Sequence, residues 1–368
     1  MNAQRVLDAL RDEGPARVTE LVERTGLSRP TVDAVADELI RLGWLEEVEA
    51  AVRDGRRGRP ARLLAFRADA GYVAGVDIGE HRVRTAIADL RGQIAAEDER
   101  ELAAHPGHVP GPEDVLGAVR ASVSRTLRAA RVRREDLLSA CVGCTGPMDP
   151  ETGRVIFSSL FEDGFDLAGA LRRTLGPHLV VDNDCNLAVI GDRWQGVARG
   201  AGDVICVLAG ERMGAGIVVD GQLVRGHRGA AGEMAFLGAY NVDHGAEGVA
   251  SLVRRLSGKD PEAVFEAARD GDEAAHAVIE RAVDGAGRGI ATLALVLNPE
   301  LVVIGGGVAG AGDVLLEPLR QRLAEMARLP PRVEASPLGA RVVIVGALRR
   351  ALDDLEPRLL DGLEESAA

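Results

Sequence analysis

Five arginines fall within the ten residues 53–62, which read Arg-Asp-Gly-Arg-Arg-Gly-Arg-Pro-Ala-Arg. Guanidinium groups bind phosphates and fit narrow minor grooves, and glycines let a backbone approach a duplex closely. The loop therefore offers the chemistry of a nucleic-acid contact, above all through Arg56, Arg57 and Arg59. A charged loop that only faces solvent is the alternative.

The residues before this loop carry the pattern of a helix-turn-helix. Apolar residues recur at helical spacing over 6–10 and 18–22, and a turn at Gly26 leads to a third apolar face over 32–42. Ser28 is a good N-cap for the third helix, and Gly26 tolerates the left-handed backbone of a turn. Helix, glycine turn and capped helix are typical of helix-turn-helix proteins, with a plain three-helix packing unit as the alternative.

Two predicted strands make the arginine-rich loop a wing. Apolar residues at 44–45 and 63–66 predict a hairpin, and the loop lies between them.

On the outward side of the third helix, Asp33 would repel a phosphate, but it can accept a hydrogen bond from a cytosine amino group. The candidate DNA contacts are Ser28, Arg29, Thr31, Asp33, Arg56, Arg57 and Arg59.

Charge is distributed unevenly along the chain. Residues 1–67 hold 12 arginines and 12 acidic residues, so the net charge of −13 belongs entirely to the rest of the 368 residues. An acidic body repels nucleic acid, so any DNA contact must come from the first segment.

No apolar run approaches the roughly 18 residues of a membrane span, and the first ten residues lack the apolar core of a signal peptide. We therefore expect a cytoplasmic protein.

Beyond residue 67 the sequence follows an α/β pattern with an internal repeat. Predicted helices over 112–131 and 274–297 separate the strands, of which 180–184 ends in polar residues and 301–307 runs into a glycine loop. Strand patterns of the first unit return in the second at a constant offset, so that Val76 matches Val207, Gly79 matches Gly210, Glu80 matches Glu211 and Asp89 matches Asp220. Two duplicated halves with a cleft between them are the architecture that this repeat predicts.

Four motifs of the body resemble those of the ROK family, which includes repressors and sugar kinases. The motifs are Gly-Val-Asp-Ile-Gly at 75–79, Asp-Asn-Asp-Cys-Asn at 182–186, Gly-Ala-Ala-Gly-Glu at 229–233, and Asn-Pro-Glu followed by three glycines at 298–307. The resemblance covers about residues 71–350, and the wing sequence Gly-Arg-Pro at 58–60 is similar to the DNA-binding part of the family's repressors. It implies an N-terminal winged helix-turn-helix followed by a duplicated actin-like, ribonuclease-H-like sugar-kinase fold.

The two loops that hold ATP phosphates in ROK kinases read differently in this chain. Where the family has Asp-x-Gly-Gly-Thr, residues 77–81 read Asp-Ile-Gly-Glu-His, and where it has Gly-Thr-Gly, residues 210–212 read Gly-Glu-Arg. A carboxylate within ~4 Å of a phosphate charge costs up to about 4 kcal/mol at an effective dielectric constant near 20. We therefore expect no catalysis, with partial compensation by His81 or Arg212 as the alternative.

The resemblance also indicates which residues would bind an effector. Asp184 matches the family's catalytic base, and Asn183, Glu233 and Glu247 match its sugar-contacting positions. Without a phosphate cradle, these residues are expected to hold a sugar or sugar-phosphate effector. A capped or ion-paired polar residue is the structural alternative, especially for Asp184 and for Glu247, whose surroundings differ from the family pattern.

The zinc site of the family is not expected here, and neither is any other metal or cofactor. Phe236 takes the place of the family's histidine, no cysteine follows Cys206, and His244 is isolated in the sequence. One imidazole does not make a tetrahedral zinc site. Cys141 and Cys144 have metal-like spacing, but they end an apolar strand, which favours buried thiols.

These patterns predict a sequence-specific transcriptional regulator of the repressor type. It would bind a double-stranded operator as a homodimer or dimer of dimers, and its kinase-like body would serve effector binding and dimerisation. We expect a DNA-binding domain over 1–67 and two actin-like subdomains over 68–190 and 191–368, with the C-terminal helix packing back on the first. The alternatives are an ATP-dependent sugar kinase that retains DNA binding, and a regulator controlled by another protein.

Overall fold

The computed structural model describes residues 2–48, 62–102, 110–237 and 247–360. The α-helices are α1 (Asn2–Glu13), α2 (Val18–Thr25), α3 (Arg29–Arg41), α4 (Pro112–Ala130), α5 (Leu167–Leu175), α6 (Asp184–Gln195), α7 (Val249–Ser257), α8 (Pro261–Arg269), α9 (Glu273–Leu297), α10 (Asp313–Met326) and α11 (Val342–Leu355). The strands are β1 (Ala16–Arg17), β2 (Leu45–Val48), β3 (Leu63–Phe66), β4 (Tyr72–Ile78), β5 (Arg82–Asp89), β6 (Ile94–Glu101), β7 (Leu137–Cys144), β8 (Leu179–Asn183), β9 (Val204–Leu208), β10 (Gly214–Val219), β11 (Gln222–Leu223), β12 (Leu301–Gly305) and β13 (Arg332–Ala335). None of the helices in these ranges combines the length and the apolar composition needed to cross a membrane.

The first three helices and a three-stranded sheet form a winged helix-turn-helix. Gly26 follows α2 with a φ of 66°, which is the left-handed turn expected before α3. The Ser28 side chain caps α3 by accepting a hydrogen bond from the Thr31 amide, as predicted. The sheet has the order β1-β3-β2, so the predicted hairpin of β2 and β3 is confirmed and a short third strand is added.

The wing itself is only partly described. Strands β2 and β3 frame it, but the loop between them, with Arg56, Arg57 and Arg59, lies outside the described residues. At its base, Arg62 binds Asp37 of α3 at 2.6 Å and also contacts Glu47 of β2. These ion pairs tie the base of the wing to helix α3.

The body consists of two lobes that repeat one topology. The sheet of lobe 1 has the order β6-β5-β4-β7-β8, and that of lobe 2 has the order β11-β10-β9-β12-β13. In lobe 1, β4 pairs antiparallel with β5 and parallel with β7. In lobe 2, β9 pairs in the same way with β10 and β12. Asp220 and Gly221 form the turn between β10 and β11, and both residues have positive φ. The predicted duplicated α/β fold is thereby confirmed.

Two helices cross closely where the lobes meet. Helix α11 packs on α6 and on strands β4 and β7 of lobe 1, while α6 also contacts β9 and β10 of lobe 2. A Cβ atom at Gly346 would collide with the carbonyl oxygen of Leu187, and one at Gly191 with that of Val342. Glycine at both positions therefore permits the crossing. The boundary expected at residues 190/191 falls inside α6, which both lobes share.

One cluster of buried apolar side chains runs through the winged helix-turn-helix and parts of both lobes. Leu7 and Phe66 of the N-terminal part belong to the same cluster of buried side chains as Leu352 and Leu359 near the C-terminus. The DNA-binding part is thus packed against the body. Cys141 and Cys144 are buried as free thiols in β7, as the apolar strand pattern predicts.

Candidate effector cleft and DNA-binding surface

A cleft of about 570 Å³ opens between the two lobes. Lobe 1 contributes the ends of β4 and β8 and the turn after β4, and lobe 2 contributes the turn after β9 and the segment around Glu233. The structure brings three of the four predicted effector residues to this cleft, namely Asn183, Asp184 and Glu233. Their roles as effector ligands remain a prediction.

Asp184 is placed by the junction of β8 and α6. It is the first residue of the helix, and its carboxylate accepts a hydrogen bond from the Cys185 amide at 2.8 Å. The neighbouring Asn183 caps the helix by accepting from the amides of Cys185 and Asn186, and its side-chain nitrogen donates to the Gly146 carbonyl at 3.0 Å. Because both ends of the Asn183 amide already have partners, its geometry favours a positioning role beside Asp184.

Three carboxyl groups in the cleft resist ionisation. Burial, reinforced by Asp77 and Glu233, raises the pKa of Asp184 to about 7. Burial also raises the pKa of Asp77 to about 6, against the opposing effect of Arg84. The pKa of Glu233 is raised by burial as well, with Arg212 acting the other way. At the pKa values of Asp77 and Asp184, carboxyl groups can both donate and accept hydrogen bonds near neutral pH, which suits a hydroxyl-rich ligand.

Arg84 supplies the positive charge nearest to Asp77. Strands β4 and β5 pair so that Asp77 lies opposite Arg84, and the guanidinium is 3.4 Å from the carboxylate. Arg84 also binds Glu99 of β6 at 2.6 Å. A basic side chain therefore neutralises the first residue of the predicted phosphate loop.

The two turns predicted to be altered phosphate loops, residues 79–81 and 210–212, face each other across the cleft. Glu80 accepts hydrogen bonds from Ser159 at 2.6 Å and from Arg212 at 2.9 Å. Glu211 lies 3.5 Å from His81 Nε2 and accepts from Arg254 at 2.9 and 3.0 Å. Glu80 thus has a guanidinium partner from the other loop, and Glu211 lies between the imidazole of the other loop and the guanidinium of Arg254.

An aromatic pair forms another part of the cleft wall. Phe236 of lobe 2 makes an edge-to-face contact with Phe157 of lobe 1, with ring centroids 5.5 Å apart. Phe236 nevertheless remains 68% exposed, so most of its ring is available to a ligand. An exposed ring of this kind can pack against the apolar face of a sugar. Phe236 cannot ligate zinc, so the described residues do not fit the family's zinc site at this position.

Glu247, the fourth predicted effector residue, does not line the cleft. Its carboxylate binds Arg255 at 2.8 Å and accepts a hydrogen bond from Ser251 at 3.4 Å, both on α7. Its backbone pairs with Arg212 in an isolated bridge. This position agrees with the structural alternative, in which Glu247 fixes the start of α7 beside the second altered loop.

The predicted DNA surface is the N-terminal part of α3. Arg29 has 70% of its side chain exposed and lies 3.8 Å from Asp33, which is 42% exposed. Ser28 and Thr31 are joined by a hydrogen bond of 2.7 Å between their hydroxyl groups. Arg29 therefore offsets part of the negative charge that Asp33 presents to a phosphate.

Several residues of the cleft were not predicted from the sequence. The pairing of β4 with β5 could have indicated Arg84, since a three-residue turn at 79–81 places it opposite Asp77. Ser159, Phe157 and Arg254 lie far from their partners in the sequence, and no local pattern connects them. Their positions depend on how the two lobes pack.

Two family models match separate parts of the chain. The model described as the ROK family matches residues 73–347, and that of the IclR helix-turn-helix domain matches residues 1–49. A xylose repressor of Caldicellulosiruptor bescii is 23% identical over 389 residues, which cover 96% of this chain and 96% of the repressor. A glucokinase of Thermotoga maritima is 28% identical over 312 residues, covering 75% of this chain and 95% of the glucokinase.

Solved structures share the fold. A ROK family transcriptional regulator, a homologue of the E. coli MLC protein, superposes with a TM-score of 0.75 at 20% identity and covers 98% of both chains. A ROK family glucokinase from Streptomyces griseus, solved with glucose and AMPPNP, gives a TM-score of 0.65 at 25% identity and covers 77% of this chain and all of that one. The regulator therefore shares the whole architecture, whereas the glucokinase covers about three quarters of it.

Proposed function

The chain belongs to the ROK family, and on that premise we propose that it is a DNA-binding transcriptional regulator that acts as a repressor. The observation that carries this proposal is a helix-turn-helix over residues 1–49 followed by a ROK body, in a chain that is similar to a xylose repressor over 96% of both sequences. Helix α3 exposes Arg29, and the strands that frame the arginine-rich loop are tied to α3 through Arg62. The proposed partner is an operator, read by α3 and the wing.

The kinase-like body is proposed to bind an effector in the interlobe cleft. Asp184 and Glu233 would hold hydroxyl groups, and the exposed ring of Phe236 would pack against the apolar face of a sugar. Stabilisation of the folded chain by a ligand depends on its concentration and affinity. A panel of sugars and sugar phosphates should therefore contain at least one compound that raises the melting temperature of the wild-type protein and not that of Asp184→Ala. If every compound left the melting temperature unchanged, control by another protein would become the better account.

We propose that the body does not phosphorylate its ligand. Glu80 and Glu211 occupy the two turns that would have to hold phosphate groups, and each carries a negative charge. A carboxylate near a phosphate opposes its binding by up to about 4 kcal/mol. The arginines that could offset this repulsion, Arg212 and Arg254, already bind Glu80 and Glu211. A coupled assay with MgATP and the sugar panel should show no turnover.

One observation favours the second candidate, an ATP-dependent sugar kinase that retains DNA binding. The pKa of Asp184 is about 7, which suits a general base near neutral pH, and glucokinases are among the relatives. Turnover that disappears in Asp184→Asn would establish this alternative. Turnover that persists in Asp184→Asn would come from a contaminating kinase.

Regulation is proposed to operate through lobe closure in a cytoplasmic homodimer or dimer of dimers. An effector that favours closure would change the separation of the two helix-turn-helix parts, which must match half-sites about one DNA turn apart. Effector and DNA would then change each other's affinity by the same factor. The mechanism is tested by titrating the operator with and without the effector identified by melting. Equal DNA affinities in both titrations would contradict it.

A further inference from the structure

We propose that the turns after β4 and β9 form an ion-pair clasp that holds the two lobes together and excludes phosphorylated ligands from the cleft. The clasp consists of Glu80 with Arg212 and of Glu211 with His81 and Arg254. This inference rests on the proposed effector cleft and specifies what keeps it closed and which class of effector it admits.

The clasp follows from the internal duplication. Each turn carries a glutamate followed by a basic residue, Glu80-His81 in lobe 1 and Glu211-Arg212 in lobe 2. Because the lobes repeat one topology, the two turns occupy equivalent positions in their sheets and face the same cleft. Each glutamate therefore meets the basic residue of the opposite turn: Glu80 forms an ion pair with Arg212, and Glu211 lies 3.5 Å from the imidazole of His81.

Further contacts stabilise each carboxylate. Ser159 donates to Glu80 from lobe 1, while Arg254 of α7 binds both oxygens of Glu211. Glu80 and Glu211 keep only 22% and 23% of their side chains exposed, whereas Arg212 and Arg254 keep 51% and 45%, so solvent screens these pairs in part. A network of this kind holds the two lobes together more strongly than one isolated pair does.

The same contacts determine which ligands enter. A phosphate group between the turns would meet two carboxylates, whereas Arg212 and Arg254, which could attract it, are already paired. Ligand atoms of Glu80, His81 and Glu211 also lie within 4.8 Å of one another, a spacing that could hold a cation. The guanidinium groups of Arg212 and Arg254 already supply positive charge there, which favours the ion-pair clasp over a bound cation. The expected effector is an uncharged sugar.

The clasp is tested by reversing its charges in the full-length chain. Fluorophores attached to Glu101→Cys in lobe 1 and Lys259→Cys in lobe 2 report the interlobe distance, since both sites are exposed and the four native cysteines are buried. Glu80→Arg and Arg212→Glu should each lower the closed-to-open ratio about fivefold or more, the change that roughly 1 kcal/mol produces. The double variant Glu80→Arg/Arg212→Glu should restore the ratio. Arg133→Glu, which disrupts the pair with Asp136 within lobe 1, should leave it unchanged.

Ligand selection has its own measurement. Relative to the wild type, Glu80→Gln/Glu211→Gln should raise the ratio of sugar-phosphate affinity to free-sugar affinity at least about tenfold, because loss of the clasp affects both ligands whereas loss of the negative charge favours only the phosphate. Unchanged distances in the charge-reversed variants, a double variant that fails to recover, or stabilisation of the wild type by Zn²⁺ alone would overturn the clasp. Operator binding is measured in the wild type and in every variant. A wild-type protein that binds no operator would contradict the proposed regulator and not the clasp.

Discussion

Arg11 of helix α1 binds Glu356, the residue that follows helix α11, across 2.8 Å. Arg349 of α11 binds the same carboxylate at 3.1 Å, so the DNA-binding part and the body share one ionic contact. Helix α11 crosses α6, which begins at Asp184 in the cleft. Two packed helices, α6 and α11, therefore connect the proposed effector site with the proposed DNA-binding part.

Breaking this contact should uncouple the two proposed sites. We expect Glu356→Gln to change operator affinity and effector affinity by less than about threefold each, while the effect of effector on operator affinity falls by about fivefold or more. Operator titrations with and without effector measure all three quantities. Arg133→Ala removes an arginine that pairs within lobe 1 and serves as the control. Coupling that persists in full in Glu356→Gln would show that another contact transmits the signal.

The glycine crossing of α6 and α11 should tolerate no side chain. In Gly346→Ala the new Cβ meets the Leu187 carbonyl, so the helices must separate, and we expect the free energy of unfolding to fall by about 2 kcal/mol or more. Gly117→Ala lies on the exposed side of α4 with open space around its Cβ, and should gain about 0.5–1 kcal/mol from helix propensity. Urea unfolding of both variants gives the comparison. Equal stabilities would contradict a close-packed crossing.

The raised pKa of Asp184 predicts a pH-dependent stability cost. Its folded pKa is about 7 and its usual value 3.8, so between these values the folded state keeps a proton that the unfolded state releases. The free energy of unfolding therefore falls as the pH rises through this window, and Asp184→Asn removes the cost. We expect Asp184→Asn to be about 2 kcal/mol more stable than the wild type at pH 8, since water in the cleft reduces the full electrostatic effect. No gain is expected near pH 4.

Asp136 provides the control of opposite sign. Its hydrogen bonds to Arg133 lower its pKa, so its carboxylate stabilises the fold above its usual pKa and this contribution is lost as the pH falls. Asp136→Asn should therefore lose stability at pH 8. Melting curves of both variants across this pH range give the two signs. A gain for Asp184→Asn that is equally large at pH 4 and pH 8 would mean that the carboxylate is not the cause.

The exposed face of α3 should contribute to DNA affinity through Arg29. Arg29→Ala should weaken binding to all sequences and reduce the slope of log affinity against log salt by about one. Asp33→Ala should strengthen non-specific binding, because it removes a negative charge from the surface. Fluorescence anisotropy over a range of NaCl concentrations measures both effects, with the exposed Arg328→Ala of lobe 2 as the control. An unchanged slope in Arg29→Ala would remove Arg29 from the phosphate contacts.

The sequence predicted most of the fold because its local signals agree with the tertiary structure. Ser28 and Gly26 marked the start of α3 and the turn before it, and the repeated offset of Gly79 and Gly210 predicted two lobes of one topology. Strand β1 was missed, since Ala16 and Arg17 show no periodicity and become a strand only by pairing with β3. Pairing partners of this kind are set by tertiary contacts.

The candidate site was predictable only in part. Asp184 and Glu233 carry motif signals and lie in the cleft, whereas Glu247 carries a weak signal and lies beside α7, outside the cleft. The pairing of Glu80 with Arg212 joins residues 132 positions apart and depends on the relative placement of the lobes. Sequence spacing does not encode that placement, so the charges were visible but their mutual neutralisation was not.

The most direct test of the regulator is selection of genomic DNA fragments by the purified protein. The triple variant Arg56→Ala/Arg57→Ala/Arg59→Ala, whose positions lie outside the described residues, is compared with the wild type at the same salt concentration. We predict that the wild type enriches fragments containing an inverted repeat with half-sites about one DNA turn apart, and that the triple variant loses this enrichment. Failure of the wild type to enrich any sequence, with and without the sugars that raise its melting temperature, would contradict the account.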